Sequence, residues 1–161
     1  MWRVDLMKQL GVFPRNAGMG PNRRCSHAAS YKDRIYVVTG KGSDERRVIV
    51  PAPEAPRLVC FDKGSGKVLW TDASPGENDL DAQEADPLVV EIGGRGQVIV
   101  PQGDGWVRAF DALTGELIWK FDINPRTSQW AICGRATRNS VLATPVFYKG
   151  RIFLGSGQQA E

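Results

Sequence analysis

Thiol and imidazole side chains are scarce in this sequence: its 161 residues hold three cysteines and one histidine. Cys25, Cys60 and Cys133 lie far apart, with no Cys-x-x-Cys pair. That spacing argues against a thiolate metal site, and the odd count leaves at least one thiol free. No apolar run approaches the ~18 residues that a membrane span needs. Met1 to Leu10 lacks a charged start followed by an apolar stretch and is not expected to act as an export signal. An excess of one charge is also missing. Lys and Arg number 21 against 18 Asp and Glu, and a net charge of +3 argues against a nucleic-acid partner. The motifs His-Glu-x-x-His and Gly-x-Ser-x-Gly do not occur. Gly64-Ser-Gly-Lys67 ends like a phosphate loop, but Val68 stands where Ser or Thr is needed, so the segment reads as a β-turn.

What is present is a globular composition rich in turn formers. Apolar residues make up 42% and charged residues 24%. Gly 18 and Pro 10 exceed the ~12% combined share of average proteins. Such a chain favours many short elements over a few long helices. Internal similarity organises it. Leu58-Val-Cys-Phe-Asp-Lys-Gly-Ser-Gly-Lys-Val-Leu-Trp70 aligns without gaps with Val107-Arg-Ala-Phe-Asp-Ala-Leu-Thr-Gly-Glu-Leu-Ile-Trp119. Phe61, Asp62, Gly66 and Trp70 recur as Phe110, Asp111, Gly115 and Trp119, all at one offset. Trp2-Arg-Val-Asp5 matches Trp119-Lys-Phe-Asp122 and reads as the tail of an earlier copy. Upstream, Arg34 to Gly40, Gln97 to Gly103 and Arg151 to Gly157 form a second recurring unit, rich in β-branched and aromatic residues and bounded by Gly, Asp or Pro. That is the strand signature.

The middle copy reads as four strands, at 87–92, 97–101, 106–111 and 116–121. Turns form at Gly93-Gly94-Arg95-Gly96, Gly103-Asp104-Gly105 and Ala112 to Gly115. Four antiparallel strands in roughly 50 residues make one propeller blade. The fold class is therefore all-β, a partial β-propeller of about two and a half four-stranded antiparallel blades. Residues 1–24 form a lead-in after a preceding blade. Blade one spans 25–71, with strands near 25–30, 35–39 and 58–62 and an insertion at 41–57. Arg46, Arg47, Pro51, Pro53 and Pro56 in that insertion suggest an extended surface loop. Blade two spans 86–121. Residues 142–161 start blade three, with strands near 142–147 and 151–156. Propellers typically close a ring of 4–8 blades and so hide their sheet edges. A chain with a tail of one copy and a beginning of another is expected to be a fragment of a longer protein, open and prone to associate. Its partners are expected to be the remaining blades or another copy of the chain.

The stretch Ala109-Phe-Asp111-Ala-Leu-Thr-Gly115-Glu-Leu-Ile-Trp119 is similar to the tryptophan-docking repeat of the PQQ-like β-propellers, Ala-x-Asp-x-x-Thr-Gly-x-x-x-Trp. The first copy has Cys60 for Ala and Ser65 for Thr. In that family the Trp packs on a neighbouring blade and the Gly permits the turn. Trp2 to Pro14, Cys25-Ser26, Val38 to Glu45, Ser74 to Asn78 and Gly134 to Asn139 resemble quinoprotein alcohol dehydrogenase-like propellers of bacteria. The resemblance implies an exported, periplasmic protein and, in the parent protein, PQQ with Ca²⁺ and the oxidation of an alcohol or sugar. Proteins with the same propeller include outer-membrane assembly lipoproteins of the BamB type, which hold partners and no cofactor. A scaffold binding protein or carbohydrate partners is therefore the alternative function. Three departures weigh against a working cofactor site. There is no adjacent Cys-Cys pair, the segment Gly20 to Cys25 lacks a neighbouring His, and Ala82-Gln-Glu-Ala-Asp-Pro87 carries Glu84 and Asp86 at a strand start.

Catalytic residues are not identifiable from the sequence, and no metal site is assigned. The repeated residues Asp62, Gly66, Trp70, Asp111, Gly115 and Trp119 are read as structural. Each Asp is expected to accept backbone N–H groups in its turn, and each Trp to pack between blades. Trp106 follows the Asp104-Gly105 turn near the expected start of an inner strand, where an indole can face a central channel and stack on a ligand. Arg135, Arg138 and Asn139 form a Gly-Arg-x-x-Arg-Asn cluster suited to a carboxylate, or else to bracing a loop. Those four residues are the candidate cofactor contacts. The loop acids Asp44, Glu45, Glu77, Asp79, Asp81, Glu84 and Asp86 offer hard oxygen atoms for Ca²⁺ but match no calcium-loop pattern and are read as solvated. Cys25 and His27 share one face of a strand at period two, with no acid partner to orient the imidazole.

Overall fold

The computed structural model describes residues 1–12, 28–39, 48–79, 85–131, 136–141 and 143–155. The chain opens with a short helix, α1 (Leu6–Leu10). Asp5 caps it by accepting the Lys8 N–H at 3.1 Å, and Gly11 ends it in the left-handed region at φ 65°. The first sheet runs β1 (Ala29–Tyr31), β2 (Arg34–Val38), β3 (Leu58–Asp62) and β4 (Val68–Asp72), each strand antiparallel to the next. The second sheet repeats the arrangement with β5 (Leu88–Ile92), β6 (Arg95–Pro101), β7 (Trp106–Asp111) and β8 (Leu117–Asp122). The third holds the hairpin β9 (Val146–Tyr148) and β10 (Arg151–Phe153). This is the partial propeller expected from the repeats.

Local chemistry explains the boundaries. Gly93 and Gly94, at φ 61° and 77°, close a two-residue turn in which both central residues need positive φ. β6 therefore begins at Arg95, earlier than expected from the Gly-rich run. The same register shift interrupts β3–β4 at Cys60/Phe61 and β7–β8 at Ala109/Phe110. The repeat thus preserves even the irregularity ahead of each turn Asp.

Cores form between sheets. Tyr36, Val38, Leu58 and Cys60 from the first sheet meet Val98, Val100, Phe110 and Ala112 from the second. Ile99, Val107 and Ala109 on the other face of the second sheet meet Val141, with Ile152 and Leu154 packed against them. Period-two alternation sends neighbouring residues of β6 and β7 to these opposite faces. The first strands lie next to one another, β1 beside β5 and β5 beside β9, which marks the inner side. Cys60 is fully buried, and burial pushes its thiol up to about 11, so it is an inert core residue. Cys25, Cys133 and His27 lie outside the described residues. Among the described residues no helix is long and apolar enough to cross a membrane.

The insertion in the first sheet differs from the expected surface loop. Ala55, Pro56 and Arg57 are buried at its end. Thr39 donates its N–H to the Arg57 carbonyl at 2.9 Å, and Arg57 donates its own to the Asp72 carbonyl at 2.7 Å. The last residues of the insertion are thereby stitched onto β2 and β4.

Candidate functional site

The candidate residues gather at the turn between β6 and β7. Gly105 takes φ +79°, and a side chain there would run into the Asn124 amide and the Asn139 carbonyl. Its lack of a Cβ lets two loops close over the turn. Asp104 organises the start of β7. Its carboxylate accepts the Trp106 N–H at 3.1 Å and two guanidinium bonds from Arg108, at 2.8 and 3.1 Å. Arg108 also donates to the Gln102 side-chain carbonyl, while the Gln102 amide donates to the Ser74 carbonyl, just past the end of β4, at 3.0 Å.

Arg138 and Asn139 reach this turn from the loop ahead of the third sheet. Arg138 donates from Nε to the Asp104 carbonyl at 2.7 Å and from its two terminal nitrogens to Asp122 at 2.7 Å and Ser128 at 3.2 Å. Burial pulls the Asp122 carboxyl up, but Arg138 and the Asn124 N–H outweigh that and hold it below the usual carboxylate range. Asn124 pairs with the Asn139 backbone twice, accepting its N–H at 2.8 Å and donating to its carbonyl at 3.0 Å. Arg135 lies outside the described residues. The structure thus brings Trp106, Arg138 and Asn139 to one turn and ties the last two into its bracing.

The expectation that Trp106 starts an inner strand is corrected. β7 is the third strand of its sheet, separated by β6 from β5, and the inner side is lined by the first strands. The indole has cationic company already: Lys120 Nζ lies 4.9 Å and the Arg108 guanidinium 5.9 Å from its ring centroid. This arises from register, since Arg108 stands opposite Lys120 and shares a strand face with Trp106.

A polar pair with no signature in the sequence lies beneath this turn. Arg57 and Asp79, both completely buried, form an ion pair. The Asp79 carboxylate sits so tightly on Gly103 that a Cβ there would overlap it. Burial lowers the Arg57 guanidinium from its usual range, and Asp104 works against that. Asp79 is therefore corrected from a solvated loop acid to the counter-charge of Arg57. Glu77 is exposed and Asp86 half-buried. Asp44, Glu45, Asp81 and Glu84 lie outside the described residues. Among the described residues no group of three His, Cys, Asp or Glu side chains stands close enough to hold a metal ion.

The repeated residues have defined places. The Asp62 carboxylate accepts the N–H and hydroxyl of Ser65, both at 2.6 Å. Asp111 accepts the N–H groups of Leu113 and Thr114, both at 2.8 Å, and pairs with Arg95 at 2.5 Å. Burial pushes the Asp111 carboxyl up, yet Arg95 and the two N–H donors prevail and hold it at about 2. Gly115, at φ +77°, has the Trp70 indole so close that a Cβ would lie 2.6 Å from it. Trp70 donates to the Ala112 carbonyl at 3.3 Å, which also accepts the Tyr36 hydroxyl at 2.9 Å.

The family described as outer membrane protein assembly factor BamB matches residues 1–159. The chain belongs to this family. It is 24% identical over 133 residues to the outer membrane protein assembly factor BamB of Francisella tularensis, covering 83% of this chain and 24% of that protein. In three dimensions it is similar to BamB from Moraxella catarrhalis, with a TM-score of 0.57 and 21% identity over 80% of this chain and 33% of that one. A quinohemoprotein alcohol dehydrogenase from Pseudomonas putida HK5 gives a TM-score of 0.52 at 17% identity over 82% of this chain and 16% of that one. These likenesses identify the propeller fold. The chain spans about a quarter of the length of the curated BamB relative.

The fold is shared with quinone enzymes, so the site can be asked whether it fits PQQ with Ca²⁺. A carboxylated quinone needs available guanidinium groups and an open aromatic face, and Ca²⁺ needs a set of oxygen ligands. Here all three Arg138 nitrogens are committed within the loops, and Arg108 is committed to Asp104 and Gln102. Asp104 and Asp122 are each held by an arginine. The described residues at this turn do not fit the group.

Proposed function

We propose that this chain is part of a non-catalytic propeller that serves as a binding scaffold, of the kind its relatives' name describes: a factor in outer membrane protein assembly. One observation carries this reading. The polar side chains at the β6–β7 turn are spent on bracing neighbouring blades, so the site is built for rigidity rather than for a ligand. The family match over nearly the whole chain supports it. An exported, periplasmic location goes with this function, as do protein partners belonging to the machinery that assembles outer membrane proteins. The dehydrogenase reading is the weaker one, because it needs guanidinium groups that are already paired.

The test uses the full-length protein containing this chain. A photo-crosslinker at Trp130, which is 41% exposed, is expected to capture an outer membrane assembly protein in cells. Gel filtration with PQQ and Ca²⁺ is expected to leave the quinone absorbance unretained, with no alcohol-dependent dye reduction. Retained quinone together with alcohol oxidation would overturn the scaffold reading.

A further inference from the structure

The three sheets make their turns at a common end. Tyr31, the last residue of β1, donates its hydroxyl to Glu91 of β5 at 3.0 Å, and its ring covers the bare Cα of Gly96 on β6. The β1–β2 and β5–β6 turns are therefore neighbours. Asp86, ahead of β5, donates its N–H to the hydroxyl of Thr144, ahead of β9, at 3.2 Å. These adjacent strands start side by side, so the β9–β10 turn joins the same end. Lys63 ties the β3–β4 turn to it by donating its N–H to the Asp33 carbonyl at 2.7 Å, and Ala112 ties the β7–β8 turn by donating to the Gly96 carbonyl at 2.9 Å.

Charge is spent unevenly at this end. Asp33 pairs with Arg34 at 2.6 Å, and Asp111 and Glu116 pair with Arg95 at 2.5 and 3.2 Å. Asp62 is bound by Ser65, and Glu91 by Tyr31. Lys32, Lys63, Lys67, Lys149 and Arg151 are exposed, and none of them joins an ion pair among the described residues. At the opposite end Arg57, Arg108 and Arg138 are each paired with a carboxylate.

Two of the free cations stand where the backbone favours glycine. Tyr31-Lys-Asp-Arg-Ile35 and Tyr148-Lys-Gly-Arg-Ile152 place Lys32 and Lys149 at φ 55° and 48°, a region that side chains of L residues resist. Gly93 holds the corresponding turn position in the second sheet, at φ 61°. Each ammonium lies over the ring of the Tyr before it, at 5.0 and 5.2 Å.

We propose that this end is a docking face for an anionic membrane surface. Its free cations are spread over the turns of the first and third sheets and do not converge on one point, and a bilayer presents its headgroup phosphates in the same spread way. Four of the five are lysines, which act as point charges and gain from a surface potential without a fixed geometry. An acidic peptide would call instead for arginine forks on its carboxylates. Leu113 and Tyr148, both exposed at this end, fit the level of the headgroups. The β6–β7 turn lies at the other end of β6, so this contact goes beyond the scaffold reading and leaves that turn uncovered.

Co-sedimentation of the full-length protein with vesicles tests the proposal. Binding to vesicles of phosphatidylethanolamine and phosphatidylglycerol is expected to be at least tenfold tighter than to vesicles of phosphatidylcholine alone. It is expected to disappear at about 1 M salt, where charges are screened within about 3 Å. Lys32→Gly combined with Lys149→Gly is expected to weaken it at least tenfold while the thermal midpoint holds or rises, since glycine accepts the positive φ at both turns. Arg126→Gln, in the exposed loop after β8 at the opposite end, is expected to leave binding unchanged. Equal binding to both kinds of vesicle, full binding by the double glycine variant, or tighter binding to poly-glutamate than to the anionic vesicles at equal charge would each overturn the proposal.

Discussion

The two inter-sheet contacts are built from the same repeat and end up unlike. Between the first and second sheets, Trp70 is seated on Gly115, Tyr36 and Trp70 share one carbonyl, and the buried Arg57–Asp79 pair locks the loop end. Between the second and third sheets, Trp119 faces a cavity and Phe121 faces solvent. Sequence motif alone does not make a closed interface. The Trp needs a partner turn, and the turn needs a glycine at positive φ.

The largest expected effect breaks the closed side. Arg57→Ala leaves the buried Asp79 without its counter-charge, which is expected to cost about 3–5 kcal/mol in urea unfolding, as for other broken buried ion pairs. The double change Arg57→Met with Asp79→Leu is expected to recover much of that loss. A smaller difference sharpens the comparison directly. Trp70→Ala is expected to cost about 3–5 kcal/mol, as for a packed core Trp, whereas Trp119→Ala is expected to cost about 1 kcal/mol or less, since it already borders a cavity. Equal losses would erase the distinction between the two sides.

Acid is the mildest probe. Asp111 is held at about 2 in the folded chain, against roughly 3.9 for an unfolded Asp. Its contribution is therefore complete above about pH 4 and is lost as pH falls through about 2. Asp111→Asn is expected to reduce the drop in thermal midpoint across that interval, with little dependence on pH near neutrality.

The middle blade is largely legible in the sequence because every signal there agrees. β-branched runs, an Asp-Gly turn and a repeated Asp-x-x-Thr-Gly all fix the same strands. Other features depend on contacts that sequence order hides. Arg57 and Asp79 sit in different loops and meet only once β3 and β6 are stacked, so in the sequence each resembles an ordinary surface charge. The turn before Trp106 is visible in the sequence while the sheet order is not, which is why an inner strand is expected there and a third strand is found. α1 has no periodicity to show over five residues, although Asp5 and Gly11 are recognisable caps. Of the candidate site, Arg138 and Asn139 are grouped by proximity in the chain. Their bonds to Asp104, Asp122 and Asn124 are what define their work, and those partners lie on other elements.

Amide hydrogen exchange of the isolated chain tests the central claim most directly. Exchange is slow where strands are paired and covered on both faces, and fast where they open locally. The asymmetry between the two sides gives strong protection for β2, β3, β6 and β7, and exchange at least tenfold faster in β9 and β10. Equal protection of β10 and β3 would show that the third sheet is already closed and would contradict the account.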